Sequence, residues 1–139
     1  MKYDNKTFMG VAELFAENSY CKRAKVGACL VKDNRIIATG YNGTLPNRDN
    51  NCEDEDNKTK EEVLHAEQNV ITFCAKHGIK TDGATMYITL APCKSCAKLI
   101  ASCGIKKVVY KDKYHSDGID LLREFGVMVL EYKWAGYYK

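Results

Sequence analysis

No apolar run in this chain approaches the ~20 residues that a membrane-spanning helix requires. That excludes a helical membrane protein, and no membrane partner is expected. An excess of charge is also missing: 21 Lys and Arg against 18 Asp and Glu leave +3, so nothing in the composition demands a nucleic-acid partner. The basic residues are scattered apart from Lys22-Arg23-Ala24-Lys25, and no extended basic groove with interleaved aromatics is evident. Internal repeats and low-complexity tracts are absent, so the 139 residues are expected to form one domain spanning 1–139. Met1-Lys2-Tyr3-Asp4 lacks the form of an export signal, and a cytoplasmic protein is expected. Seven cysteines, an odd number, argue against a fully paired disulfide framework. They are expected as reduced thiols, some buried as small hydrophobes and two used as ligands.

What is present is the composition of a globular protein, 45% hydrophobic and 28% charged, with helix and strand patterns in alternation. Asp4 is placed to cap a first helix carrying Phe8, Val11, Ala12, Phe15 and Ser19 on one face. Residues 26–31 and 35–41 read as strands joined in a hairpin at Asp33-Asn34. Residues 42–60 are polar, with the acidic run Glu53-Asp54-Glu55-Asp56, and so long a loop is usually functional or mobile. A helix stopped by Gly78 follows, then a strand over 84–90 and a helix over 93–102 closed by Gly104. A strand over 106–110, a short helix over 119–125 and a strand over 127–130 complete the pattern. This order predicts an α/β three-layer sandwich: a five-stranded mixed sheet flanked by helices, its final three strands parallel. The aromatic-rich tail over 132–139 is expected to dock on the domain's own surface, with packing on a neighbouring subunit as the alternative.

The chemistry is concentrated in His65-Ala66-Glu67 and Pro92-Cys93-Lys94-Ser95-Cys96. His65, Cys93 and Cys96 offer one nitrogen and two sulfurs, a soft set suited to zinc. Three protein ligands leave a position open for water, as a catalytic site requires. The ordered pattern H-x-E…P-C-x-x-C is that of zinc-dependent nucleobase deaminases, with the glutamate as proton carrier. Cys93 and Cys96, three residues apart, share a helical face near a positive helix end that favours thiolates. Pro92 is expected at the first position of that helix. His65 and Glu67 are two apart and diverge on an ideal helix. They serve one metal only if it lies off the helix tip, so this helix should begin near Leu64. Thr59-Lys60-Glu61-Glu62 is a rival capping box that would start it earlier. Glu67 also falls on the stripe Val63, Val70, Ile71 and Cys74, so it is expected to be partly buried, with a carboxyl tuned between acid and base roles. In the expected reaction zinc lowers the pKa of a water from 15.7 to about 7. Glu67 takes the proton, and hydroxide attacks the amidine carbon. Glu67 then returns protons to the ring nitrogen and the departing amine.

The zinc motif alone does not choose the base. Val26-Gly27-Ala28, Gly40-Tyr41-Asn42-Gly43, and Gly104 to Tyr110 followed by Tyr114 resemble the deoxycytidylate (dCMP) deaminase family, a likeness running from about Phe8 to Leu130. The resemblance implies a zinc-dependent hydrolase that converts dCMP to dUMP and ammonia, feeding thymidylate synthesis. It implies His65, Cys93 and Cys96 as zinc ligands and Glu67 as proton shuttle. Asn42 would lie on the deoxyribose hydroxyl, Lys25, Val26 and Ala66 along the nucleotide, and Tyr114 over the far side of the pocket. The substrate phosphate needs a cation, and Arg23 and Lys25 flank the first strand. The family further implies a homo-oligomer, typically a hexamer, activated by dCTP and inhibited by dTTP, with magnesium accompanying any triphosphate effector.

Two features depart from the family pattern. Its G-Y-N-G-x-P-x-G loop binds regulatory nucleotides, but here Thr44-Leu45-Pro46-Asn47 shifts the proline and lacks the second glycine. Asn42, Gly43 and Arg48 are what remains of an effector loop. Some relatives also hold a structural zinc through cysteines at positions like Cys21 and Cys52. With His77 and His115 placed elsewhere, free buried thiols are expected at those two positions. The alternatives are a deaminase of free (deoxy)cytidine or another nucleobase compound, and a non-catalytic zinc-binding relative.

Overall fold

The computed structural model describes residues 4–45 and 48–133. A five-stranded sheet lies at its centre, in the order β2-β1-β3-β4-β5. Strands β1 (Gly27–Lys32) and β2 (Arg35–Tyr41) form the antiparallel hairpin, turned at Asp33 and Asn34 with φ of 52° and 61°. Both turn residues lie in the left-handed region, and the turn of this kind matches the twist of its strands. Strand β3 (Thr85–Leu90) runs antiparallel to β1; β4 (Lys107–Asp112) and β5 (Met128–Glu131) continue from it in parallel. The mixed sheet with three parallel final strands is therefore the one expected.

Alternation along the strands sorts the core into two layers. Leu30, Met86, Ile88, Val108 and Tyr110 face one side. There they meet α2 (Ala66–His77), α3 (Lys94–Ser102) and α4 (Asp117–Glu124), which contribute Val70, Ile100 and Leu122. Cys29, Val31, Tyr87 and Val109 face the other side, against Phe8 and Met9 of α1 (Asn5–Ala16). Asp4 caps α1, its carboxylate accepting from Thr7 N–H at 3.0 Å. Helix α1 approaches the sheet at Gly27, where a β-carbon would stand 2.0 Å from the carbonyl oxygen of Ala12. No side chain fits between the two backbones there.

Several expectations need correction. Helix α1 stops at Ala16, so Ser19 lies beyond it; the buried face is Phe8, Met9, Ala12 and Ala16, not the stripe through Phe15. Helix α4 begins at Asp117, two residues before the expected start. Pro92 is not the first helical residue. It precedes Cys93, the N-cap of α3, so it fixes the approach to the helix rather than its first turn. Cys21 and Cys52 are not free thiols: they are joined as a disulfide across 31 residues of sequence. Pairing depends on two loops meeting in space, which cysteine counting does not reveal. Of the aromatic tail, Tyr132 packs beside the α1 layer, and residues 134–139 lie outside the described residues. No helix among the described residues is long and apolar enough to cross a membrane.

Candidate active site

The helix carrying Glu67 begins where metal binding needs it to. His65 is the N-cap of α2 in extended conformation, and its N–H donates to Gln68 Oε1 at 2.7 Å, one half of a capping box. This cap prevails over the rival box at Thr59. Because His65 is still extended and Glu67 already helical, the two side chains need not diverge as they would on an ideal helix. Gly43 pairs with Leu64 through N–H···O bonds of 3.1 and 2.9 Å, tying the segment before the cap to the loop after β2.

Cys93 is likewise an extended N-cap residue, of α3, though without a capping box, so two helix N-termini converge on one point. His65 Nδ1 lies 3.2 Å from Cys96 Sγ and 3.7 Å from Cys93 Sγ. Bonds of 2.0–2.3 Å to a tetrahedral zinc imply N···S separations of roughly 3.5 Å, so this donor set fits the ion. Cys96 is fully buried, whereas His65 and Cys93 are open to solvent, which leaves access for a fourth ligand. The two thiols also share a charge. Contacts from Cys96 and His65 pull Cys93 down to about 3, and the same contact together with burial drives Cys96 upward. His65 is raised, chiefly by its contact with Cys93. One proton therefore stays with the sulfur pair, and a divalent cation bound by both would displace it.

Glu67 is 4% exposed. Burial pushes its carboxyl up to about 7, against the opposing pull of its backbone N–H and of His65. A carboxyl that accepts and returns protons near neutrality is what general acid–base work requires.

A cavity of about 630 Å³ opens over these groups. Arg23, Val26, Asn42, Ala66 and Tyr114 all line it, as do His65, Glu67 and Cys93. Lys25 is exposed and does not line it; Gly43 and Arg48 are outside it too. Asn42 is held on both ends of its amide: Nδ2 donates to Ala24 O at 2.8 Å, and Oδ1 accepts from Val26 N–H at 2.9 Å. This side chain thereby stiffens the strip that runs from Arg23 into β1. The structure adds lining residues that sequence reasoning missed: Glu53 and Thr59 from the long loop, Lys94 and Ser95 at the start of α3, and His115 and Asp117 before α4. No local signal marks them, since an acidic run and a loop histidine usually read as solvated surface. Gly118 lets α4 close on the metal-binding turn; a β-carbon there would stand 2.0 Å from Pro92 O.

A second group of possible ligands, Cys21, Cys52 and Glu53, is fully buried, and its two sulfurs are spent on the disulfide.

Comparison with known proteins agrees with this geometry. The family model for the cytidine and deoxycytidylate deaminase zinc-binding region matches residues 2–112. ComE operon protein 2 of Bacillus subtilis is 40% identical over 131 residues, covering 90% of this chain and 69% of that protein. The deoxycytidylate deaminase of Enterobacteria phage T4 is 34% identical over 167 residues, covering 88% and 86%. The dCMP deaminase of cyanophage S-TIM5, solved in complex with dCMP and dUMP, superposes with a TM-score of 0.89 at 46% identity, over 91% of this chain and 95% of that one. A match of this extent, on a cavity that brings a zinc-type donor set to a buried glutamate, makes the chain a member of the zinc-binding cytidine and deoxycytidylate deaminase family.

Proposed function

We propose that this protein is a zinc-dependent hydrolase that deaminates dCMP to dUMP and ammonia, supplying dUMP for thymidylate synthesis. The observation that carries the reading is Glu67, buried at the floor of a nucleotide-sized cavity beside three converging ligands. A structural metal site has no use for such a carboxyl. His65, Cys93 and Cys96 would hold the zinc, which when bound would make a water acidic enough to lose a proton near neutral pH. Glu67 takes that proton as oxygen attacks C4 of the cytosine. It then delivers protons to N3 and to the leaving amine, so one water is consumed and one ammonia released.

The remaining residues bind and orient. Arg23, on the cavity wall, is the cation for the substrate phosphate. Val26 and Ala66 pack along the nucleotide, Tyr114 covers the open side, and Asn42 offers its remaining N–H to the sugar. Lys25 contributes through the field of the basic strip rather than by direct contact. The relatives named as deoxycytidylate deaminases, and the S-TIM5 enzyme bound to dCMP and dUMP, support dCMP over free cytidine as substrate. We further propose a homo-oligomer, a hexamer, with the loop from Asn42 to Cys52 near a subunit boundary. Asn42, Gly43 and Arg48 there contact dCTP or dTTP with magnesium. The deciding experiment compares dCMP with deoxycytidine and the other aminated nucleotides, with and without chelation of zinc. Addition of dCTP or dTTP in the same assay tests regulation. Equal efficiency on dCMP and deoxycytidine would overturn the substrate assignment. A hyperbolic dCMP curve unmoved by either triphosphate would overturn regulation alone.

A further inference from the structure

Among the described residues, one buried side-chain oxygen has no hydrogen-bond partner: Oε1 of Glu53. The residue is 4% exposed and lines the catalytic cavity rather than the packed core. Its other oxygen is committed, with Oε2 accepting from the backbone N–H groups of Lys22 at 3.0 Å and Arg23 at 3.2 Å. The disulfide at Cys52 holds the carboxylate's chain neighbour to the same segment. Glu53 is therefore fixed in place with one acceptor unused, and a buried acceptor left bare is costly.

The chemistry of the ligand narrows what can pair with it. Asn42 holds Ala24 and Val26, and Glu53 holds Lys22 and Arg23, so the two side chains together shape one strip of cavity wall. The base must reach the metal-binding end for its amine to react, and the phosphate must reach Arg23. The sugar that joins them passes along this strip. A carboxylate oxygen repels a phosphate and the carbonyl of cytosine, and it accepts only from a donor. Apart from the amino group, which the reaction consumes, dCMP has one such donor: the 3′-hydroxyl.

We propose that Glu53 Oε1 accepts a hydrogen bond from the 3′-hydroxyl of the bound nucleotide, which makes Glu53 a specificity-determining residue for the sugar. The inference rests on the dCMP reading above and deepens it. Oε2 positions Arg23 for the phosphate while Oε1 reads the hydroxyl, so one carboxylate coordinates two parts of the substrate.

The test measures kcat/KM for dCMP and for its 3′-deoxy-3′-fluoro and 3′-deoxy-3′-amino analogues, in the zinc-loaded wild type and in Glu53→Gln. Fluorine cannot donate, so the wild type is expected to lose at least about tenfold on that analogue, the scale of a charge-assisted hydrogen bond. The amino analogue donates and carries positive charge, so it should match or exceed dCMP. In Glu53→Gln the amide can turn its NH₂ towards the ligand; the penalty for fluorine should shrink and the tolerance of the ammonium should vanish. Wild-type enzyme that treats dCMP and the fluoro analogue alike would overturn the proposal, and that arm decides even if Glu53→Gln fails to fold. A Gln variant with an unchanged analogue profile would also overturn it. Failure to turn over dCMP at all would reject the substrate reading itself, which the first arm reveals before any sugar comparison.

Discussion

The metal-binding end of the cavity and the loop wall beside it are held by different means. At the metal end each side chain is placed by its own helix: His65 and Cys93 are N-caps, and Glu67 and Cys96 follow within the first turn. The wall from Arg23 to Val26 is instead held from a distance, by Asn42, 16 residues beyond Val26, and by Glu53, 31 residues beyond Lys22, with the disulfide alongside. The first arrangement is rigid because helices packed on a sheet leave their termini little freedom. The second is a lattice of side-chain bonds that any one substitution loosens. On the proposed function, reaction chemistry falls to the helix-held part and substrate choice to the loop-held one.

That division is open to direct attack. Chelation should abolish turnover and added zinc restore it; turnover that survives verified metal removal would refute the proposed metal role. Glu67→Gln should retain zinc yet lose ~10²–10⁴-fold in kcat. Metal analysis alongside steady-state kinetics checks this, and near-native activity in a zinc-replete variant would end the assignment. Gly118→Ala acts on the metal end from outside the ligand set, since its β-carbon would stand 2.0 Å from Pro92 O and 3.0 Å from Cys93 O. The turn carrying Cys93 must shift, and zinc affinity should fall about 10–100-fold, as for other perturbations behind a ligand. An unchanged affinity in a competition titration would show that α4 yields instead.

The loop wall should respond differently. Removing the substrate phosphate, or Arg23→Ala, should lower kcat/KM by about tenfold, the worth of one charge-assisted bond. The two changes together should cost little more than either alone. Additive losses would place the phosphate elsewhere. Reducing the Cys21–Cys52 link, which closes 31 residues of chain, should destabilise the protein by about 3–4 kcal/mol on a chain-entropy basis. Denaturant midpoints with and without reductant measure it, and kcat at saturating dCMP should scarcely move. A collapse of kcat would mean that the wall and the metal end are coupled after all.

The sequence by itself determined the order of elements and the mixed sheet, and its H-x-E…P-C-x-x-C pattern singled out His65, Glu67, Cys93 and Cys96 as the candidate site that the fold then brings together. The elements follow from periodicity, which local geometry converts directly into direction, whereas the candidate site was legible only as a known ordered pattern, since His65 and Cys93 are 28 residues apart. His65 illustrates the limit: only the requirement that it share a metal with Glu67 made the later helix start preferable to the box at Thr59. The tertiary structure alone decided that Arg23 rather than Lys25 lines the cavity, because alternation along an irregular segment does not say which side faces in. It also decided that Cys21 meets Cys52, and that Glu53 leaves its acidic run to bind two backbone N–H groups and face the site. Those contacts join segments about 30 residues apart, and nothing in either segment encodes the other; they meet only in the fold, where Cys21 and Cys52 are buried together with Val63.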